Sequence, residues 1–194
     1  MKARWALAVS ALVLLTGCNP PTPPTPAPPT PTFMCTPEAG GPEASCSQSE
    51  FDKMKARDAE YAEAEKVFRE YQGEIVKVLR AGGSSKLTPR LAEILTSPEM
   101  RADLVRQFES FKAQGLRMVG PGIEIKSAIR VPGKVMGDSE VTMDFCVDAS
   151  RNSAYKGKSK INELGVTMDT VYFKPHKGGM QIVGGDYELV KKCA

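Results

Sequence analysis

"VTMDFCVD", residues 141–148, alternates without a break: Val141, Met143, Phe145 and Val147 on one side, Thr142, Asp144, Cys146 and Asp148 on the other. Successive side chains of an extended chain point to opposite faces, so a period of two reads as a β-strand with one buried and one wet face. Upstream, Ile123, Ile125, Ile129 and Val131 alternate with Glu124, Lys126 and Arg130, which reads as a second such strand. Downstream, 166–174 and 180–190 read as two more, joined by "PHKGG". Gly184 and Gly185 mark a bulge or bend inside the last of them. Four successive strands with short turns describe an antiparallel meander.

Before residue 115 the period is that of a helix. Ser47 and Glu50 have the spacing of a capping box. Phe51, Met54, Tyr61, Ala64, Phe68, Tyr71, Ile75 and Leu79 then recur every three or four residues, interrupted by Asp58. Ala81, Gly82 and Gly83 end that run. Thr88-Pro89 and Ser97-Pro98 each set a capping hydroxyl before a proline suited to the first helical position. They open a short helix through Leu91, Ile94 and Leu95 and a longer one through Leu104, Phe108 and Phe111, with Gly115 as the stop. Helices followed by a meander give an α+β fold, with N-terminal helices on one face of a curved antiparallel four-stranded sheet. A single domain over 49–194 accommodates it.

The N-terminus has a different character. Lys2 and Arg4 precede an apolar run, Trp5 to Leu15, and then Thr16, Gly17 and Cys18. That run is about 11 residues, against about 20 for a membrane-spanning helix, so it reads as a secretory signal peptide over 1–17. The segment "NPPTPPTPAPPTPT", 19–32, follows. Proline fixes φ and removes backbone donors, so this stretch is expected as polyproline II. At about 3.1 Å per residue, Pro20 to Pro31 extends roughly 37 Å, a semi-rigid stalk within a segment 18–48. The formal net charge of +3 falls to +1 when Lys2 and Arg4 leave with the signal. A near-neutral chain gives no electrostatic case for nucleic acid.

Leu15-Thr16-Gly17-Cys18 resembles the lipobox of bacterial lipoproteins, whose cysteine is lipidated and becomes the new N-terminus. The resemblance implies a diacylglyceryl thioether on Cys18 and a chain anchored to the outer, extracytoplasmic face of the cell membrane; two acyl chains suffice for stable anchoring. The order of helices and strands resembles the nuclear transport factor 2-like (cystatin-like) cone. The whole layout is similar to small lipoproteins of actinobacteria and their phages: lipobox, Pro/Thr stalk, helices, a strand with "DFCVDAS" and a last strand ending in Cys. Those resemblances imply a cone-like fold and an envelope setting.

With Cys18 acylated, Cys35, Cys46, Cys146 and Cys193 remain, an even four in an oxidising compartment. Cys35 and Cys46 flank a Gly/Pro-rich loop, while Cys146 and Cys193 each sit in or after a strand. Pairs Cys35–Cys46 and Cys146–Cys193 are therefore expected. There is no CxxC and a single histidine, so no metal or cofactor is expected.

Catalytic signals are weak. The inward faces of the two clearest strands are apolar apart from Ser127, and Asp144 and Asp148 fall on the wet face, which leaves no general base where a substrate would sit. His176 reads as a turn residue, Tyr61 and Tyr71 as core. "CVDAS" lacks a nearby histidine to activate Cys146 or Ser150. "RNSAYKGKSK", 151–160, reads as a basic solvated loop, and Arg151, Lys156, Lys158 and Lys160 are its candidate contact residues. Two functions follow. One is a non-enzymatic lipoprotein that binds a protein or envelope component, and if phage-encoded excludes superinfection. The other is a lipid-anchored cone enzyme or carrier of a small apolar ligand.

Overall fold

A computed structural model describes residues 32–193, and the compact folded unit begins at Thr32. Helices and antiparallel sheets pack together as an α+β domain. It has three sheets, where the alternation of the sequence outlined one.

Helix α1 (Gln48–Arg80) is the spine, roughly 50 Å long at 1.5 Å per residue. Ser47 and Glu50 close the capping box, and Ala81 caps the other end. Gly83, at φ +86°, lets the chain turn against α3: a Cβ there would clash with Phe108 O and lie 2.7 Å from Lys112 N. Helices α2 (Pro89–Ile94) and α3 (Pro98–Ala113) start on Thr88 and Ser97, whose side chains accept from the Leu91 and Met100 amides.

The main sheet consists of β4 (Glu124–Arg130), β5 (Val141–Asp148), β8 (Val166–His176) and β9 (Gly179–Val190), in that order and all antiparallel. Its inner face meets the helices. Phe68 of α1 stacks on Phe145 at 3.9 Å, and Phe173 meets Phe145 edge-on at 6.3 Å. Val141, Met143, Val147, Val171 and Ile182 from the strands complete that core with Leu91, Ile94, Leu104 and Phe108 from the helices. Each such side chain, once buried, contributes about 1.5–3 kcal/mol before entropy is counted.

Two features depart from simple alternation. A bulge between Ile125 and Ser127 shifts the β4 register, so Ile129 pairs with Asp144 on the outer face and Arg130 pairs with Met143 on the inner one. Ile129 is 53% exposed as a result. Strand β5, in turn, is covered on both sides: Thr142 and Cys146 of its outer face are buried. The β4–β5 connection lies over that face, with Thr142 Oγ1 donating to Lys134 O at 2.5 Å and the Lys134 ammonium above the Tyr172 ring.

The second sheet joins β3 (Leu116–Val119), β6 (Ser153–Lys156) and β7 (Ser159–Glu163). Residues 151–160, expected as a solvated loop, thus form most of a hairpin. Gly157, at φ 59°, supplies the left-handed position its two-residue turn needs.

The third sheet is the hairpin β1 (Phe33–Cys35) and β2 (Ala44–Cys46). It docks on the start of α1 through Phe33 against Phe51, and through Arg57 Nη2 donating to Thr36 O at 3.0 Å. This disulfide hairpin therefore belongs to the folded unit, not to the proline-rich segment, because α1 provides its packing surface.

Candidate functional site

The four candidate contact residues do not converge. Arg151 precedes β6 and donates to Glu124 Oε2 at 3.0 Å. Lys160 on β7 pairs with Glu163 at 2.6 Å, which raises its ammonium above its ordinary range. Lys156 and Lys158 flank Gly157 at the hairpin tip, about 13 Å of strand away from Arg151. The tip therefore presents two exposed lysines, while Arg151 and Lys160 each have a carboxylate partner.

The hairpin is held at its base by Asn152, which is fully buried. Its side chain accepts from the Gly122 amide at 2.8 Å and donates to Gly122 O at 2.8 Å and Ala149 O at 3.0 Å. Gly120 lets the backbone approach: a Cβ there would come within 2.5 Å of Asn152 Oδ1. Gly157 alone marks the turn of this hairpin in the sequence, since Gly-Lys is not one of the pairs that signal a two-residue turn.

Cys35 is bonded to Cys46, and Cys146 to Cys193, with Cα separations of 5.9 and 5.7 Å. Two disulfides are the mark of a chain that matures in an oxidising compartment, outside the cytoplasm. Cys146 is thereby unavailable as a nucleophile, and the Ser150 hydroxyl donates to Asp148 Oδ1 at 2.6 Å. His176 ends β8, exposed, opposite Gly179. Among the described residues no group of three His, Cys, Asp or Glu stands close enough to hold a metal ion, and no helix is long and apolar enough to cross a membrane. Cys18, the signal peptide over 1–17 and the stalk through Pro31 lie outside the described residues.

A polar network joins three elements at one end of α1. Asp58 accepts from Arg57 at 2.9 Å and from Arg130 at 2.6 Å. Burial alone would raise the Asp58 carboxyl, but the two guanidinium groups outweigh it and hold it below its ordinary range. Arg130 also lies over the Tyr61 ring at 4.7 Å, and Tyr61 Oη donates to Glu38 Oε1 at 2.7 Å. Burial, and then Glu38, push the Tyr61 phenol up. Arg130, expected among the outward charges, faces inward because of the bulge.

The interior holds a carboxylate that the phases of β4 and β5 gave no sign of. Asp169 on β8 lies opposite Phe145 on the inner face, beside Tyr71 and Gln72 of α1. Gln72 Nε2 stands 3.4 Å from Asp169 Oδ2, whereas Asp169 Oδ1 is buried without a hydrogen-bond partner. Burial pushes the Asp169 carboxyl up, against a smaller opposing influence of Thr167. Burial likewise raises the Tyr71 phenol, and the Asp169 charge adds to it. On its far side Gln72 borders a cleft of about 380 Å³ between α1 and residues 121–125, which Asp169 does not line. The alternation of 166–174 could have placed Asp169 inward, since it shares a face with Val171 and Phe173.

The chain matches no protein-family model and no curated protein in sequence.

Proposed function

We propose that this chain is an extracytoplasmic lipoprotein, anchored to the outer face of the cell membrane by acyl chains on Cys18, whose domain acts by contact with another protein or an envelope component. The order of lipobox, proline-rich segment and disulfide-bonded domain supports the address. One observation carries the contact reading: Phe68 stacked on Phe145, with Phe173 edge-on to it, fills the centre of the space between helices and sheet. If a phage encodes the chain, excluding superinfection by engaging incoming injection machinery is the process this design suits.

The second reading, a lipid-anchored enzyme or carrier with a cone-like fold, draws on Asp169, Tyr71 and Gln72 meeting inside. A general base has to reach its substrate, and of the half-buried Asp169 carboxylate one oxygen, Oδ1, is sealed from solvent.

The test pairs two variants of the full chain in its own cell. Cys18→Ser is expected to lose incorporation of a fatty-acid probe and membrane retention; labelling equal to wild type defeats the anchor. Asp169→Asn, folded and anchored, is expected to keep the biological phenotype. Its loss would replace contact with chemistry at Asp169.

A further inference from the structure

We infer that the lower edge of β9, residues 184–190, is a docking edge that takes up an extended segment of another protein, one alternating basic and apolar side chains. The inference rests on the contact reading and names the surface and the partner's chemistry.

The upper part of this edge is closed. Leu95 bridges to Ile182, and the Thr96 amide donates to Ile182 O at 2.9 Å. Below Ile182, β9 pairs with β8 on one side, and among the described residues no strand pairs with the other. Exposed edges are ready templates for strand addition, and proteins usually blunt them with bulges, charge or cover. Strands β4 and β7, also at sheet edges, each have a bulge in their pairing; the bulge of β9 falls at Val183, and below it β9 pairs with β8 without interruption from Gly184 to Val190.

The side chains along this edge fall into two classes. On the inner face Tyr187 and Leu189 are 71% and 77% exposed, the two most exposed large apolar side chains among the described residues. A groove of about 530 Å³ runs between Tyr187 and the Asp103, Gln107, Ser110 and Phe111 side of α3. On the outer face Asp186 and Glu188 are exposed, and none of the ion pairs among the described residues uses either. An added strand would set alternate residues against these two faces: apolar ones by Tyr187 and Leu189, basic ones by Asp186 and Glu188. Main-chain hydrogen bonds would supply affinity and the alternation specificity.

Charge argues against a second copy. Antiparallel self-pairing with Tyr187 opposite its own copy sets Asp186 against Glu188. The register with Tyr187 opposite Leu189 sets Glu188 against itself. Like charges directly opposed destabilise a strand pair. The chain's own 20–31 segment is excluded by composition, because its prolines lack the N–H groups a ladder requires.

The probe is a fluorescein-labelled eight-residue peptide alternating lysine and valine, titrated into the full chain in detergent. Wild type is expected to bind it, with slower amide exchange at 184–190. A version N-methylated at every residue, which keeps its charges and has no N–H left on either edge, should bind at least tenfold more weakly. Asp186→Lys combined with Glu188→Lys should weaken the lysine–valine peptide at least tenfold and take up a glutamate–valine peptide instead. Equal binding of the N-methylated peptide to wild type, or protection mapping to β4 or β7, overturns the proposal without relying on a variant that must fold. Self-association of the chain through 184–190 also overturns it, by assigning the edge to a second copy. Such failures remove the edge alone, since the contact reading is decided separately by the phenotype of the Asp169→Asn variant.

Discussion

Arg130 turns inward from β4 and its Nη1 donates to Asp58 Oδ1 of α1 at 2.6 Å, across 72 residues of sequence. The pair accounts for two anomalies at once: the aspartate that breaks the apolar stripe of α1, and the isoleucine left exposed at 129. One extra residue at the β4 bulge moves Ile129 out and Arg130 in, and Asp58 is the charge that makes an inward arginine tolerable.

Asp58→Asn is expected to destabilise the domain by about 1 kcal/mol at pH 7, a modest figure because the pair is partly exposed and screened. The folded carboxyl is depressed, so its contribution is present above the ordinary Asp range, near pH 4, and is lost as pH falls through the folded value. Thermal unfolding of wild type and variant should differ at pH 7 and converge near pH 2. A gap that persists in acid would mean that shape, not charge, holds this end of α1.

Asn152→Ala should cost about 2 kcal/mol, because it removes a fully buried side chain and strips partners from the half-buried amide and carbonyl of Gly122. Amide exchange in β6 and β7 should rise more than in β5. Uniform acceleration across both sheets would show that Asn152 serves the whole fold rather than the hairpin base.

The same positions show what the sequence could carry. Strand β5 was legible because a strict period of two survives even where both faces are covered. Helix starts were legible because Ser47, Thr88 and Ser97 act within one turn of themselves. The β4 bulge was not, since "EIKSAIR" alternates plausibly in either phase and only the partner strand fixes the register. Strands β1, β2, β3, β6 and β7 are three to five residues long, too short for periodicity to separate from loops. Asp169 is legible in the sequence, because the period of two along β8 sets it on the face of Val171 and Phe173.

Cys146 and Cys193 are 47 residues apart and Cys35 and Cys46 are 11 apart. Chain entropy then assigns about 4 kcal/mol to the first bond and about 3 kcal/mol to the second. Paired alanine variants should follow that order in denaturant midpoint. Loss of Cys35–Cys46 should expose β1 and β2 to proteolysis while the main sheet stays intact, because the hairpin touches the domain through α1. Equal losses for the two variants would contradict the entropy account.

Asp169→Asn should stabilise the protein at neutral pH. The wild-type carboxyl has one oxygen sealed without a partner, and Tyr71 and Gln72 from α1, Phe145 from β5 and Tyr187 from β9 offer it no cation. Its folded pKa is raised, so the neutral acid is the form the fold accommodates. Below the ordinary Asp range both states bind the proton and no penalty exists. As pH rises from there through the folded value, the unfolded chain ionises more readily and stability is lost, levelling once both states are charged. The asparagine variant lacks that decline, so its advantage should be absent near pH 3 and on the order of 1 kcal/mol at pH 7. Acids with perturbed titration cluster at functional sites, although interior packing perturbs them as well. A variant that gains stability and keeps its phenotype therefore leaves Asp169 as an interior cost and supports action by contact. One that gains stability and loses its phenotype turns attention to the Tyr71–Asp169 pair as a site.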